Sequence, residues 1–344
     1  MNLKDKFEKE QPGVVFFEQQ LDAKAVEFLR NKNWLHDEEE IQSVEKPGEG
    51  NMNFVLRLVS NQRRFILKQS RPWVQKFPQV EAPIARIHVE YNFYRFIAPH
   101  QGISQYTPEV LGFDPENFIL LMEDLGEGAD YTYLYQQDRY LSEGEVKLLV
   151  DLLSTLHRVE IPSKNRQYLD NQSMKRLNHE HVFVYPFAHD NGLDLDGIQE
   201  GLHAVAAPYK EDTTLHKHIA RLGDIYLQEH NTLLHGDYYP GSWLRVDDGL
   251  KLIDPEFSHL GRAEFDLGVM LAHLKMSQHA DAVSNQVLAS YRRPDGFDEG
   301  LLNAFVGIEI MRRVIGLAQL PLTLSLEQKE LLLSESADLI KQYA

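Results

Sequence analysis

Two apolar-rich runs, Phe54 to Val59 and Arg64 to Gln69, flank a polar turn at Ser60, Asn61 and Gln62 and predict a pair of strands. The segment from Ala82 to Ile97, which contains Glu90, predicts a helix, and the run from Asn117 to Asp124 predicts another buried strand. Beyond Glu123 to Asp130 the pattern turns helical. Ser142 and Glu145 have capping-box spacing, and Val146, Leu149, Val150, Leu153 and Leu156 recur at helical intervals. Residues 170–229 are mostly helical in pattern, Ser242 to Asp254 form a hairpin turning at Asp248-Gly249, and the chain from Glu264 onward is helical. These elements predict an α+β fold of two lobes. A small β-rich lobe spans 1–125 and a larger helical one spans 126–344.

Composition narrows the function. With 43% hydrophobic and 25% charged residues among 344, the chain reads as ordinary globular protein. Its formal net charge of -17 disfavours nucleic acid and anionic membrane as partners and favours a small-molecule ligand. The absence of Cys excludes disulfides, thiolate nucleophiles and cysteine metal sites, and fits a reducing compartment. The charged N-terminus lacks the apolar core of a signal peptide, and no run is apolar enough to span a bilayer, so a cytoplasmic location is expected.

The hairpin carries the candidate chemistry. Asp237 precedes its first strand, and Asp254 and Glu256 close its second, so carboxylates meet at one end of it. Hard oxygen donors in this arrangement suit Mg²⁺ bound with phosphate, and they predict a phosphoryl-transfer site. The small lobe supplies a strand lysine, Lys68, and a helix glutamate, Glu90, to pair with it. Gly48 and Gly50 precede the first strand, where backbone without Cβ atoms can approach a ligand closely.

The segments HGDYYPGS, IDPEF and FDLG resemble the aminoglycoside and choline kinase superfamily, which has the protein-kinase-like fold. Within it the chain most resembles the 5-methylthioribose kinase family. That resemblance rests on Gly241-Ser242, on Asp254-Pro255-Glu256-Phe257, on the turn containing Gly48, Gly50, Asn51 and Asn53, on Lys68-Gln69, and on the paired Arg312 and Arg313. It covers roughly residues 41–320 and departs from the family at Tyr238-Tyr239, where Leu-His is usual, and in a shorter segment after Lys68.

The resemblance implies an ATP- and Mg²⁺-dependent kinase acting on the 1-hydroxyl of 5-methylthioribose. Asp237 would be the base, Asp254 and Glu256 the metal ligands, and Arg312 and Arg313 the substrate contacts. Gly48, Gly50, Asn51, Asn53, Lys68 and Glu90 would serve the nucleotide, with adenine on the backbone of Glu123 to Leu125. His235, Ser242 and Asp266 would support the loop. Other acceptors of the same fold (an aminoglycoside, choline or another sugar) and a non-catalytic nucleotide-binding homologue stay open, as does a homodimer.

Overall fold

The computed structural model describes residues 3–48 and 52–343. Helices α1 (Leu3–Glu10) and α2 (Ala23–Asn31) precede strands β1 (Ile41–Glu45), β2 (Phe54–Ser60) and β3 (Arg64–Gln69). A small hairpin, β4 (Trp73–Val74) and β5 (Phe77–Glu81), leads into α3 (Arg86–Ile97), a single turn α4 (Gln101–Ser104), and strands β6 (Val110–Asp114) and β7 (Ile119–Glu123). The five longer strands form one antiparallel sheet in the order β1-β2-β3-β7-β6.

Side chains alternate across this sheet, which decides what each face does. Leu56, Leu67 and Leu121 pair in register across β2, β3 and β7 and are buried with Phe17, Phe28 and Trp34 under α2 and the N-terminal segment. Their neighbours Lys68 and Leu120, also paired, point to the opposite face, where α3 lies. That parity puts the strand lysine against the helix carrying Glu90.

The helical lobe follows. It comprises β8 (Ala129–Asp130), α5 (Glu143–Leu156), α6 (Gln172–His179), α7 (Leu195–Ile198), α8 (Leu202–Glu211), α9 (Thr213–Leu227), β9 (Thr232–Leu234), β10 (Trp243–Val246), β11 (Gly249–Leu252), β12 (His259–Gly261), α10 (Ala263–Met276), α11 (Asp281–Ser290), α12 (Glu299–Ile315) and α13 (Leu326–Gln342). Ser142 caps α5 in a reciprocal box with Glu145. No helix among the described residues is long and apolar enough to cross a membrane.

Three local readings of the sequence need correction. Helix α3 starts at Arg86, not Ala82, because Pro83 disfavours helical geometry at Ala82 and β5 runs to Glu81. The predicted strand from Asn117 starts at Ile119, since Asp114 Oδ1 accepts the Glu116 and Asn117 amides in a turn. The β10–β11 turn residues are Asp247 and Asp248, while Gly249, at φ +127°, already pairs with Val246. The shortened stretch after Lys68 forms the β4–β5 hairpin.

Candidate functional site

Lys68 is buried between two carboxylates. Its ammonium donates to Glu90 Oε1 and Asp254 Oδ1, both at 2.7 Å. Burial works against that charge, but Asp254, Glu90 and Glu256 more than offset it and hold the ammonium above its usual range. Asp254 adopts a left-handed backbone, φ +62°, uncommon for a residue with a Cβ, and its side chain is 54% exposed. The bend after β11 thus presents this carboxylate to the cleft.

Glu256 turns inward. Its Oε2 accepts a 2.8 Å hydrogen bond from Asn53 and lies 3.3 Å from Arg86 Nε. Burial pushes its carboxyl up to about 7 despite Lys68 and Arg86. Arg86 is fully buried, and its two terminal nitrogens donate to the carbonyls of Arg71, Pro83, Met52 and Trp73. One guanidinium therefore ties the turn before β2, the β4–β5 hairpin and the start of α3 to the Asp254–Phe257 bend. Gly48 is exposed, and a Cβ there would meet nothing within 4 Å, so no protein contact explains its glycine. Gly50 and Asn51 lie outside the described residues.

The loop after β9 is held from below by Asp266, in the first turn of α10. Its carboxylate accepts the His235 amide at 2.7 Å and the Gly236 amide at 2.9 Å. Burial opposes its ionisation, but hydrogen bonds and the neighbouring His157 and His235 hold its carboxyl below the usual range. Gly236 has φ +85°, and a Cβ would stand 2.2 Å from the Phe257 carbonyl oxygen, so only glycine lets the two loops meet. The buried His235 ring is 3.0 Å from the Ile253 carbonyl, with its pKa lowered by burial. Ser242 Oγ donates to the Asp237 carbonyl at 2.8 Å.

The Asp237 side chain, 23% exposed, faces helix α12. Arg312 and Arg313 bring terminal nitrogens to 3.7 and 3.4 Å of its Oδ1. Successive helical residues diverge by about 100°, so this convergence has a cause. Glu309, one turn earlier, takes Arg312 Nε on one oxygen and Arg313 Nε on the other, each at 2.7 Å. Burial raises the Asp237 carboxyl above its usual range against the pull of both arginines. The Tyr239 ring lies 4.8 Å from the Arg313 guanidinium, whereas Tyr238 is core, its hydroxyl on the Leu149 carbonyl.

At the lobe connection, the Glu123 amide is committed to the Glu109 carbonyl at 2.9 Å. Arg57 fixes this connection through Asp124, Gly126 and Glu127.

Around Lys68 two cations, Lys68 and Arg86, face three carboxylates, Glu90, Asp254 and Glu256, a formal balance of -1 when all are ionised. A polyphosphate needs an added cation to settle there. No cluster of three or more His, Asp or Glu side chains fit to hold a metal occurs among the described residues. The hard oxygens of an exposed Asp254 and a neighbouring Glu256 fit Mg²⁺, which takes few protein ligands and completes its shell with water and phosphate.

Two residues of this arrangement went unread in the sequence, Arg86 and Glu309, and Tyr239 stood out only as a departure from the family. Both unread residues had a signal. Arg86 precedes Glu90 by one helical turn, and Glu309 stands three and four residues before the paired arginines, a spacing that places all three side chains together.

The comparisons agree with this geometry. The sequence pattern of a family described as the phosphotransferase enzyme family matches residues 52–302. A methylthioribose kinase of Geobacillus thermodenitrificans is 28% identical over 329 residues, 82% of this chain and 81% of its own. One from Exiguobacterium sibiricum is 25% identical over 351 residues, with 87% and 88% covered. Among solved structures, a spectinomycin phosphotransferase in complex with ADP and spectinomycin superposes with a TM-score of 0.54 at 12% identity, covering 94% of this chain and 98% of that one. A choline kinase from Streptococcus pneumoniae gives 0.51 at 14% identity, over 92% and 98%. At such identities these two speak for the two-lobed α+β kinase fold alone. With the family pattern covering β2 to β7, the loop after β9 and the helical lobe as far as the start of α12, the chain belongs to the phosphotransferase enzyme family.

Proposed function

We propose that the chain transfers the γ-phosphoryl group of ATP to the 1-hydroxyl of 5-methylthioribose. The acceptor oxygen bonds to the γ-phosphorus, the bond to the β–γ bridging oxygen breaks, and ADP leaves. Asp237 orients the hydroxyl and takes its proton. Lys68, held forward by Glu90, meets the phosphates, and the turn before β2 covers them. Asp254 and Glu256 would hold Mg²⁺, which would supply positive charge against the phosphates. The adenine edge would hydrogen-bond to the backbone of Glu123 to Leu125.

The observation that carries the acceptor is the convergence of Arg312 and Arg313 on Asp237. Two guanidiniums beside the base suit a neutral sugar whose transfer generates anionic oxygens, and, by neutralising Asp237 and Glu309, they leave no net negative charge to attract a cationic amino-alcohol. The relatives named methylthioribose kinases support the same choice. ATP consumption measured against a panel of sugars, aminoglycosides and amino-alcohols tests it. Methylthioribose should give the highest kcat/KM. A preference for choline or an aminoglycoside would overturn the acceptor.

A further inference from the structure

The geometry points to Glu309 as a positioning residue for the transfer step, holding Arg312 and Arg313 on Asp237 and setting the charge around that carboxylate. The inference rests on Asp237 being the acceptor base of a phosphotransferase, and not on which alcohol is phosphorylated.

Two buried guanidiniums side by side repel each other, and neither would hold a fixed place without a counter-charge. Glu309, itself buried, supplies it at 2.7 Å from both Nε atoms, while one terminal nitrogen of each arginine donates elsewhere, to Asn178 Oδ1 and the Ala318 carbonyl, and the other turns toward Asp237. The four groups sum to zero, two arginines against Glu309 and Asp237.

Glu309 is itself fixed from the neighbouring helix. His273 Nε2 lies 3.0 Å from Glu309 Oε1, and His273 Nδ1 lies 2.5 Å from the Tyr135 hydroxyl. Burial lowers His273 to about 4, so the ring is neutral, and Glu309, held well below the usual carboxylate range by its arginines despite burial, can only accept. The proton therefore sits on Nε2, and the Tyr135 hydroxyl donates to Nδ1. Tyr135 ends the 3₁₀ turn that follows β8, and its carbonyl is anchored by Thr323. The chain of contacts runs from Tyr135 through His273, Glu309 and the two arginines to the Asp237 carboxylate.

Glu309→Gln keeps the size but removes the charge. Besides Glu309, the groups facing Asp237 are Arg312 and Arg313 of α12, Tyr226 of α9, Tyr135, and His235 and Tyr239 of its own loop. Without the Glu309 charge, the arginines act on Asp237 uncompensated and lower its proton affinity. Turnover should fall by about tenfold or more while KM for MgATP changes less than about twofold, and the acid limb of kcat/KM should move to lower pH.

A purely structural role would not move that limb. If Glu309→Gln fails to fold, Tyr135→Phe loosens the same relay with the Glu309 charge kept, so turnover should fall by about threefold or more while KM for MgATP and the acid limb stay in place. All rates are taken with the acceptor that the wild type turns over fastest. A Glu309 effect seen with an acceptor other than methylthioribose would overturn the acceptor reading and leave this inference standing. Unchanged turnover and an unmoved acid limb in the folded variant would overturn this inference whatever the acceptor.

Discussion

At the scale of single residues, Asp237 and Asp254 should separate chemistry from nucleotide binding. Asp237 touches no group of the Lys68 cluster in the contacts described, so Asp237→Asn should cut turnover by on the order of 10² or more and leave MgATP affinity intact. Its carboxyl is raised above the usual range, and the ionised form is the one that accepts a proton. Wild-type kcat/KM should therefore fall as pH drops through that raised value, and the asparagine variant should lack this acid limb. Rate-against-pH profiles of both proteins check it. Asp254 makes the opposite case. It is the exposed carboxylate on Lys68, and Asp254→Ala should abolish Mg²⁺-dependent nucleotide binding in calorimetry. An unchanged affinity would move the metal elsewhere.

At the scale of elements, the loop crossing between β9 and the Asp254 bend is the least forgiving junction. Gly236→Ala puts a methyl group against the Phe257 carbonyl in a backbone region that alanine avoids, and the loop carrying Asp237 must shift. The variant should lose most of its turnover, whereas Ser142→Ala, which removes the exposed α5 cap on Glu145, should cost about 1 kcal/mol of stability and no activity. Thermal melts beside steady-state rates distinguish the two. These elements also mark what the sequence could disclose. Strands β2 and β3 and the α5 cap were legible because period and capping are local signals. The start of α3 was misread although Pro83 stood in view, because its apolar pattern runs on past the proline. Hairpin β4–β5 has only two residues in its first strand and is stabilised from outside, by the Arg86 guanidinium and by Phe7 against Trp73. No run of residues records such contacts. The same holds for the site. Asp237, Asp254 and Lys68 announce themselves by spacing and motif, but the inward turn of Glu256 onto Arg86 depends on a helix remote in sequence.

At the scale of the molecule, the division near residue 125 expected from the change of pattern does not divide the apolar core. Ile87, Val89, Phe93, Tyr94 and Ile97 of α3, with Leu120 and Met122 of β7, belong to the same buried cluster as α5, α9, α10 and α12. Only the outer face of the sheet has a core of its own. The segment at the expected boundary is itself built into the helical lobe, with Asp130 paired to Leu244. A chain of 344 residues would ordinarily be expected to unfold through intermediates. Here, releasing the sheet lobe would expose one whole face of α3 and leave the helical lobe with an open core, so the lobes should melt together. Trp34 and Trp73 report on the sheet lobe and Trp243 on the helical one. In a Trp243→Phe variant, fluorescence therefore follows the small lobe, while far-ultraviolet circular dichroism follows mainly the helices. The two transitions should coincide, and Phe93→Ala, at a cost of roughly 3–5 kcal/mol, should lower both midpoints equally. A fluorescence midpoint that moves alone would show that the small lobe folds on its own and that α3 merely rests against its neighbour.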